Sequence, residues 1–472
     1  MEDTERENFR IFIQDASIFP EIPKVPLFMR LETQDNDDFD PKVVSLGPYH
    51  HGKPELKFVE DFKPKALQMF IHGSNKDVNF FLEQIHEGIE HARSCYLEEF
   101  TNKYNDYDFS RMMLLDACFV LNLMERETRD FSQCWSKDQY MAYYLGTGVD
   151  TLIRRDMLLL ENQVPFQILK LLFNSRFGGD GFEETSKSFC YKILFGPQEP
   201  RNNVVMEPQP FHLFELLGRV MVSTNSDHHL RQSHNNDSMN NDHKPATTCC
   251  PLVMDLISKG IHQFGHCLDR CRNKEGNRIP TESTEVFRSV TEMKSKGIHF
   301  TPGGFGSLMD VRLTSHYFDA ELSLPCWYVS EYTRVFFRNM IAYEISPGKI
   351  MESSVSSYIY LMKTLIISPN DAKELRRKRI IVNLLGSDEE VVQVFKALNT
   401  YGGDYLHIYK DVKKKIEQHY NSKSQTWIAE LLDTYFRSPW SLIALVAAVS
   451  LLFFTILQTY FASPLYPPAK RS

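Results

Sequence analysis

The hydrophobic pattern of this chain is helical for most of its length. From Asn79 to Glu99, and again from Arg111 to Met124, apolar positions recur at mixed three- and four-residue spacing among helix-favouring side chains, the periodicity of packed helices. MMLLDACFVLNLM, inside the second run, is apolar nearly all round and is therefore expected to be buried. In IRRDMLLLENQVPFQILKLLF the pattern breaks at Val164-Pro165. Pro165 suits a first helical turn, after which Phe166, Leu169 and Phe173 share a face. SDEEVVQVFKAL opens with Ser387 and Glu390 at capping-box spacing and predicts another helix start. Strand periodicity is weaker: LMDVRL and FDAELSL predict a hairpin across Thr314 to Tyr317. The expected fold class is mainly α (α+β), a multi-helix cytosolic body with a small antiparallel β element and one C-terminal transmembrane helix.

That last helix is read from WSLIALVAAVSLLFFTILQTYF, Trp440 to Phe461, which carries no charge and matches the ~20 residues needed to span a hydrocarbon core. Trp440, Tyr460 and Tyr466 suit the interfaces, while Pro439 and Pro464 bracket the span. Lys410, Lys413, Lys414, Lys415, Lys423 and Arg437 precede it, against Lys470 and Arg471 after it. The positive-inside rule then places the large N-terminal body in the cytosol of a single-pass, tail-anchored protein, with the plasma membrane as the expected site. The expected divisions are an N-terminal segment (1–40), a body (41–436), the anchor (437–462) and a short tail (463–472). Within the body, 226–248 is rich in Asn, His, Ser and Asp, supplies little core, and is expected to be a disordered insertion.

Composition narrows the function classes. A hydrophobic fraction of 42% with 24% charged residues is that of a folded protein, and a net charge of -8 argues against a chain-wide nucleic-acid surface. The acidic start has neither a basic n-region nor a continuous apolar h-region, so no secretory signal is expected there. Nine cysteines cannot all pair within the chain, and mostly reduced thiols are expected. No GxSxG elbow, HExxH, kinase signature set or Rossmann fingerprint is present, so no catalytic residue and no cofactor is assigned.

Three clusters remain as candidates. His262, His266, Cys267 and Cys271 would present N and S donors one helical turn apart in pairs, but they lack an established zinc spacing. His50-His51, in a Gly/Pro-bounded loop, could supply a general base, yet no partner carboxylate is evident from spacing. GGFGS, Gly303 to Ser307, lacks a Walker lysine and leads into a suspected strand, so flexibility is its expected role. A fourth constellation is polar and structural. Asp116 interrupts an apolar helix and needs a buried cation, for which Arg154 or Arg155 is the expected partner. Glu161, Asn162 and Gln163 would satisfy nearby backbone and side-chain groups.

Several blocks in order, VSLGPYHHGKPELKFVEDFKPKAL, MMLLDACFVLNLM, IRRDMLLLENQVPFQILKLLF, FFRNMIAYE, RRKRIIVNLLGSDEEV and the apolar ending that starts SPW, resemble the plant "domain of unknown function 247" family over nearly the whole chain. The resemblance implies a mostly helical plant membrane protein without established catalytic chemistry, some relatives being linked to self-recognition in fertilisation. The His/Asn-rich tract and GGFGS depart from the family pattern. The function expected is a membrane-tethered recognition or signalling scaffold, attached through Trp440 to Phe461 and binding unidentified protein partners. A membrane-associated enzyme and a metal- or redox-responsive regulator are the alternatives.

Overall fold

The computed structural model describes residues 20–32, 38–72, 74–128, 145–179, 181–196, 204–223, 288–316, 319–347, 353–402, 408–421 and 439–462. Its helices run α1 (Leu27–Leu31), α2 (Lys57–Glu60), α3 (Lys63–Ile71), α4 (Val78–Glu87), α5 (Ile89–Ser94), α6 (Glu98–Thr101), α7 (Asp106–Thr128), α8 (Thr147–Asp156), α9 (Phe166–Phe177), α10 (Phe182–Phe195) and α11 (Leu213–Val222). There follow α12 (Val290–Ser295), α13 (Thr333–Glu344), α14 (Ser354–Leu365), α15 (Pro369–Arg377), α16 (Asp388–Lys396), α17 (Lys410–Asn421) and α18 (Pro439–Ala462). Four strands accompany them: β1 (Ile298–Phe305), β2 (Arg312–Ser315), β3 (Ala320–Val329) and β4 (Ile381–Asn383).

The chain divides into two compact units, one from the described parts of 1–238, 301–312 and 323–410, the other from those of 239–300, 313–322 and 411–472. In the first, α7 is the axis. Asp106 and Asp108 occupy its first turn, where carboxylates complement the helix dipole. All its apolar residues from Phe109 to Met124 except the half-buried Leu115 are buried, and the helix packs against α3, α4, α9 and α10. The helical run expected from Asn79 to Glu99 is instead broken at Gly88, which ends α4 and precedes α5. Ser387 caps α16 by accepting from the Glu390 N–H at 3.2 Å, as its spacing predicts. In the second unit, α17 meets α12 and its flank: Arg288 lies 4.0 Å from the Tyr420 ring centroid, and a His419 ring nitrogen is 3.2 Å from the Lys296 carbonyl.

The sheet corrects the expectation of an antiparallel element. Its order is β1-β3-β2, and β4 pairs with β3 in parallel, Trp327 opposite Ile381 and Val329 opposite Asn383. A parallel partner needs a crossover connection, which α13, α14 and α15 provide between β3 and β4. Gly303 and Gly304 lie inside β1 and are not a flexible loop. A Cβ at Gly303 would stand 3.0 Å from Ser323 Oγ and 3.1 Å from the Leu324 carbonyl, so close strand approach accounts for that glycine.

The transmembrane anchor expected at Trp440 to Phe461 is not carried by the described structure. The backbone of α18 is helical, but its side chains are described only at Ile443, Ala444 and from Ala447 to Thr459. Among the described residues no helix is long and apolar enough to cross a membrane.

Candidate functional site

Among the described residues of the first unit, a buried polar network holds the segment from Asp38 to His50, which has almost no regular structure of its own. Buried backbone N–H groups outside helices and strands need side-chain acceptors, and here each acceptor comes from elsewhere in the chain. Asp156, at the end of α8, accepts from the N–H groups of Lys42 at 2.9 Å, Val43 at 2.7 Å and Val44 at 3.1 Å. Asn162 Oδ1 accepts from Leu46 at 2.7 Å, while its Nδ2 donates to the Val44 and Asp156 carbonyls, each at 3.0 Å. Asp116, in the middle of α7, accepts from the Gly47 N–H at 2.7 Å. Gly47 has φ +77°, and a Cβ there would lie 2.7 Å from both the Gln163 carbonyl and Tyr96 Oη, so this turn has room only for glycine.

Lys63 is the cation that Asp116 requires. Its Nζ lies 2.5 Å from Asp116 Oδ1, 2.6 Å from the Ser45 carbonyl and 2.5 Å from Glu60 Oε1, with the lysine wholly buried. This corrects the expected Asp116–arginine pair. Arg154 instead reaches Glu127 at 2.5 Å and Asp150 at 3.0 Å, and Arg155 bonds Asp156 at 2.7 Å and the Asp40 carbonyl at 3.1 Å. Arg154, 38% exposed, is engaged by Glu127 and Asp150, while the buried Arg155 is engaged by Asp156 and the Asp40 carbonyl, so Asp116 is left to Lys63. Burial pushes the Asp116 carboxyl above its usual range, and Lys63 opposes that rise.

Glu161, Asn162 and Gln163 do come together with Asp116 around the same segment. Glu161 is fully buried; it accepts from the Val25 N–H at 2.8 Å and pairs with Lys24 and with Arg30 at 2.8 Å. Burial would raise its carboxyl, but these two cations outweigh it and hold the group below its usual value. Gln163 donates to the Met157 and Leu159 carbonyls at 2.9 Å and accepts from the Phe214 N–H at 3.1 Å, tying α11 to the same point. Asn339 of α13 closes the other side, accepting from Leu160 N–H at 2.9 Å and donating to the Asp38 carbonyl at 2.8 Å. Arg334 and Arg338 then bind the Asp38 carboxylate at 2.9 and 3.0 Å.

His50 has the carboxylate neighbours that spacing does not reveal. It is 2% exposed, its Nε2 lies 3.6 Å from Glu161 and its Nδ1 3.9 Å from Asp40. Neither distance is a hydrogen bond, and neither ring nitrogen has a partner. Burial lowers its pKa to about 3, and Lys53, Lys24 and Arg30 add to the effect against Glu161, so the imidazole is neutral at ordinary pH. Sequence reasoning missed Lys63, Asp156 and Asn339, and with them Lys24, Arg30, Asp38, Arg334 and Arg338. The one signal for Lys63 was Asp116's need for a cation, which names a charge without naming its source.

His262, His266, Cys267 and Cys271 lie outside the described residues. Among the described residues a different donor set, Glu21, His91 and Cys95, brings its ligand atoms within 4.8 Å of one another.

This buried polar network is a clamp on the 38–50 segment, and comparison with known proteins decides the family. Residues 22–454 match the family described as plant protein of unknown function, domain of unknown function 247. The chain belongs to that family. It is 25% identical over 447 residues to UPF0481 protein At3g47200 of Arabidopsis thaliana, covering 89% of this chain and 82% of the relative. It is 21% identical over 527 residues to Putative UPF0481 protein At3g02645 of the same plant, covering 97% of this chain and 92% of the relative. No solved structure matches it. The clamp residues of this domain of unknown function 247 chain, Lys24 to Asn339, all fall within the matched span.

Proposed function

We propose that this chain is a membrane-associated recognition or signalling scaffold, its body lying on the cytosolic face of the plasma membrane. The observation that carries the reading is the use to which the buried charges are put. Asp116, Asp156 and Glu161 are occupied by backbone N–H groups and by Lys63, Arg155, Lys24 and Arg30, so they fix a loop in place and offer no free carboxylate to a substrate. Immobilising this largely buried segment makes rigid the framework on which the exposed neighbouring residues are displayed, and a preorganised surface loses less entropy on binding.

Membrane association is supported by the uncharged stretch from Trp440 to Phe461 and by exposed side chains along α18, Ile443, Leu451, Phe453 and Phe454 being 58–68% accessible. Apolar side chains displayed to that extent over successive helical turns favour a nonaqueous or protein environment. The test compares the full chain with a version ending at 438 in plant cells. The full chain is expected in the carbonate-resistant membrane fraction and the truncated one in the supernatant, with anchor-dependent protein neighbours in proximity labelling. Full chain in the supernatant, or a large body protected from protease in sealed vesicles whose cytosolic face is outward, would overturn the tether or its orientation respectively.

A further inference from the structure

Glu21, His91 and Cys95 take no part in the clamp, yet they place a carboxylate oxygen, an imidazole nitrogen and a sulfur within 4.8 Å of one another. Two features of the backbone make this meeting. His91 and Cys95 are four residues apart at the end of α5, which puts both side chains on one helical face. Glu21 is delivered to that face because the next residue, Ile22, donates its N–H to the Cys95 carbonyl at 2.9 Å. The thiol of Cys95 is buried and donates to Glu21 Oε2 at 3.0 Å, while the His91 side chain is exposed and free to turn toward them.

We propose that Glu21, His91 and Cys95 bind one zinc ion, leaving a fourth coordination position for water or for an exogenous ligand. A mixed set of sulfur, nitrogen and oxygen donors suits zinc and is too soft for magnesium or calcium. Zinc bonds of about 2.0 to 2.3 Å in a tetrahedron separate the donors by roughly 3.3 to 3.7 Å. The sulfur–carboxylate pair at 3.0 Å and the outer limit of 4.8 Å bracket that range, so side-chain rotation suffices. On binding, the Cys95 S–H proton leaves to solvent and the thiolate donates to the metal in place of its hydrogen bond to Glu21. Zinc affinity therefore falls with acidification.

Three protein ligands are the complement of a site that keeps a position open. His91 also lines a cavity of about 580 Å³ together with Gln167, Lys170, Asn174 and Gln209, polar groups suited to an anionic or amide-bearing ligand. Cys267 and Cys271 belong to a different stretch of the sequence and serve as the control.

The experiment titrates the purified, chelator-stripped full chain with Zn²⁺, and in parallel with Co²⁺, whose thiolate complexes absorb in the near ultraviolet. One zinc per chain and a cobalt–thiolate band are expected. Cys95→Ser should abolish the band, and the paired Cys267→Ser and Cys271→Ser variant should retain it. Because Cys95 is buried and its replacement could impair folding, His91→Gln at the exposed ligand supplies the second arm: unchanged far-ultraviolet circular dichroism with zinc affinity lower by at least roughly tenfold. No thiolate band in the wild-type chain, a band that survives Cys95→Ser, or unchanged affinity in His91→Gln would each overturn the proposal.

Discussion

Asp116 illustrates how one residue can set a requirement that the rest of the fold must meet. Its carboxylate, 1% exposed inside α7, is held by Lys63 and the Gly47 N–H, and removing one charge of such a pair leaves the other buried without compensation. Asp116→Ala and Lys63→Met are each expected to cost about 3 to 5 kcal/mol in denaturant unfolding. Arg154→Met should cost about 1 kcal/mol or less, because its ion pairs are partly exposed. A large loss for Arg154→Met with none for Lys63→Met would restore the arginine pairing. His50 gives the pH prediction. The unfolded chain takes up its proton near pH 6.5, whereas the folded imidazole resists protonation down to about 3, so the unfolded state binds more protons between those values. Stability is then full above 6.5 and declines as pH falls toward 3. His50→Gln should flatten the decline between about pH 6.5 and 5, a range above the usual carboxylate titration of Glu161. An unaltered slope in the variant would show that His50 is not its source.

At the scale of single elements, tight turns and caps carry separable contributions. Gly47→Ala would combine a left-handed φ with a Cβ 2.7 Å from a backbone carbonyl, and is expected to lower stability by more than the roughly 1 kcal/mol typical of strain alone. Wild-type stability in this variant would mean that the turn yields. Ser368 caps α15 in a reciprocal box with Asp371, so Ser368→Ala should cost about 1 kcal/mol, read as a lowered denaturation midpoint without a change in slope. The elements that were legible in the sequence are those whose signal is local and long. The apolar run of α7, Pro165 before α9 and Ser387 before α16 each declare themselves within a few residues. The three-residue β4 does not, since its pairing with β3 is a relation between Trp327 and Ile381 made through three intervening helices. The clamp was half legible for the same reason. Buried acid and amide side chains announce unmet polar needs, but Lys63 is 53 positions from Asp116 and Asn339 is 179 from Leu160, distances at which spacing carries no information.

Across the whole first unit, the segment from 38 to 50 is a point where distant parts of the chain converge. It is bound by Asp116 from α7, Asp156 from α8, Asn162 after it, and Arg334, Arg338 and Asn339 from α13. A loop held this way should open only when the unit unfolds, in contrast to surface loops that open locally at little cost. Native-state hydrogen exchange at the Lys42, Val43, Val44, Leu46 and Gly47 amides tests this most directly. The clamp account predicts that these amides exchange with an opening free energy close to that of the central α7 amides, and that Asp156→Asn lowers it most at Lys42, Val43 and Val44. Rapid exchange at all five while α7 stays protected would contradict the clamp.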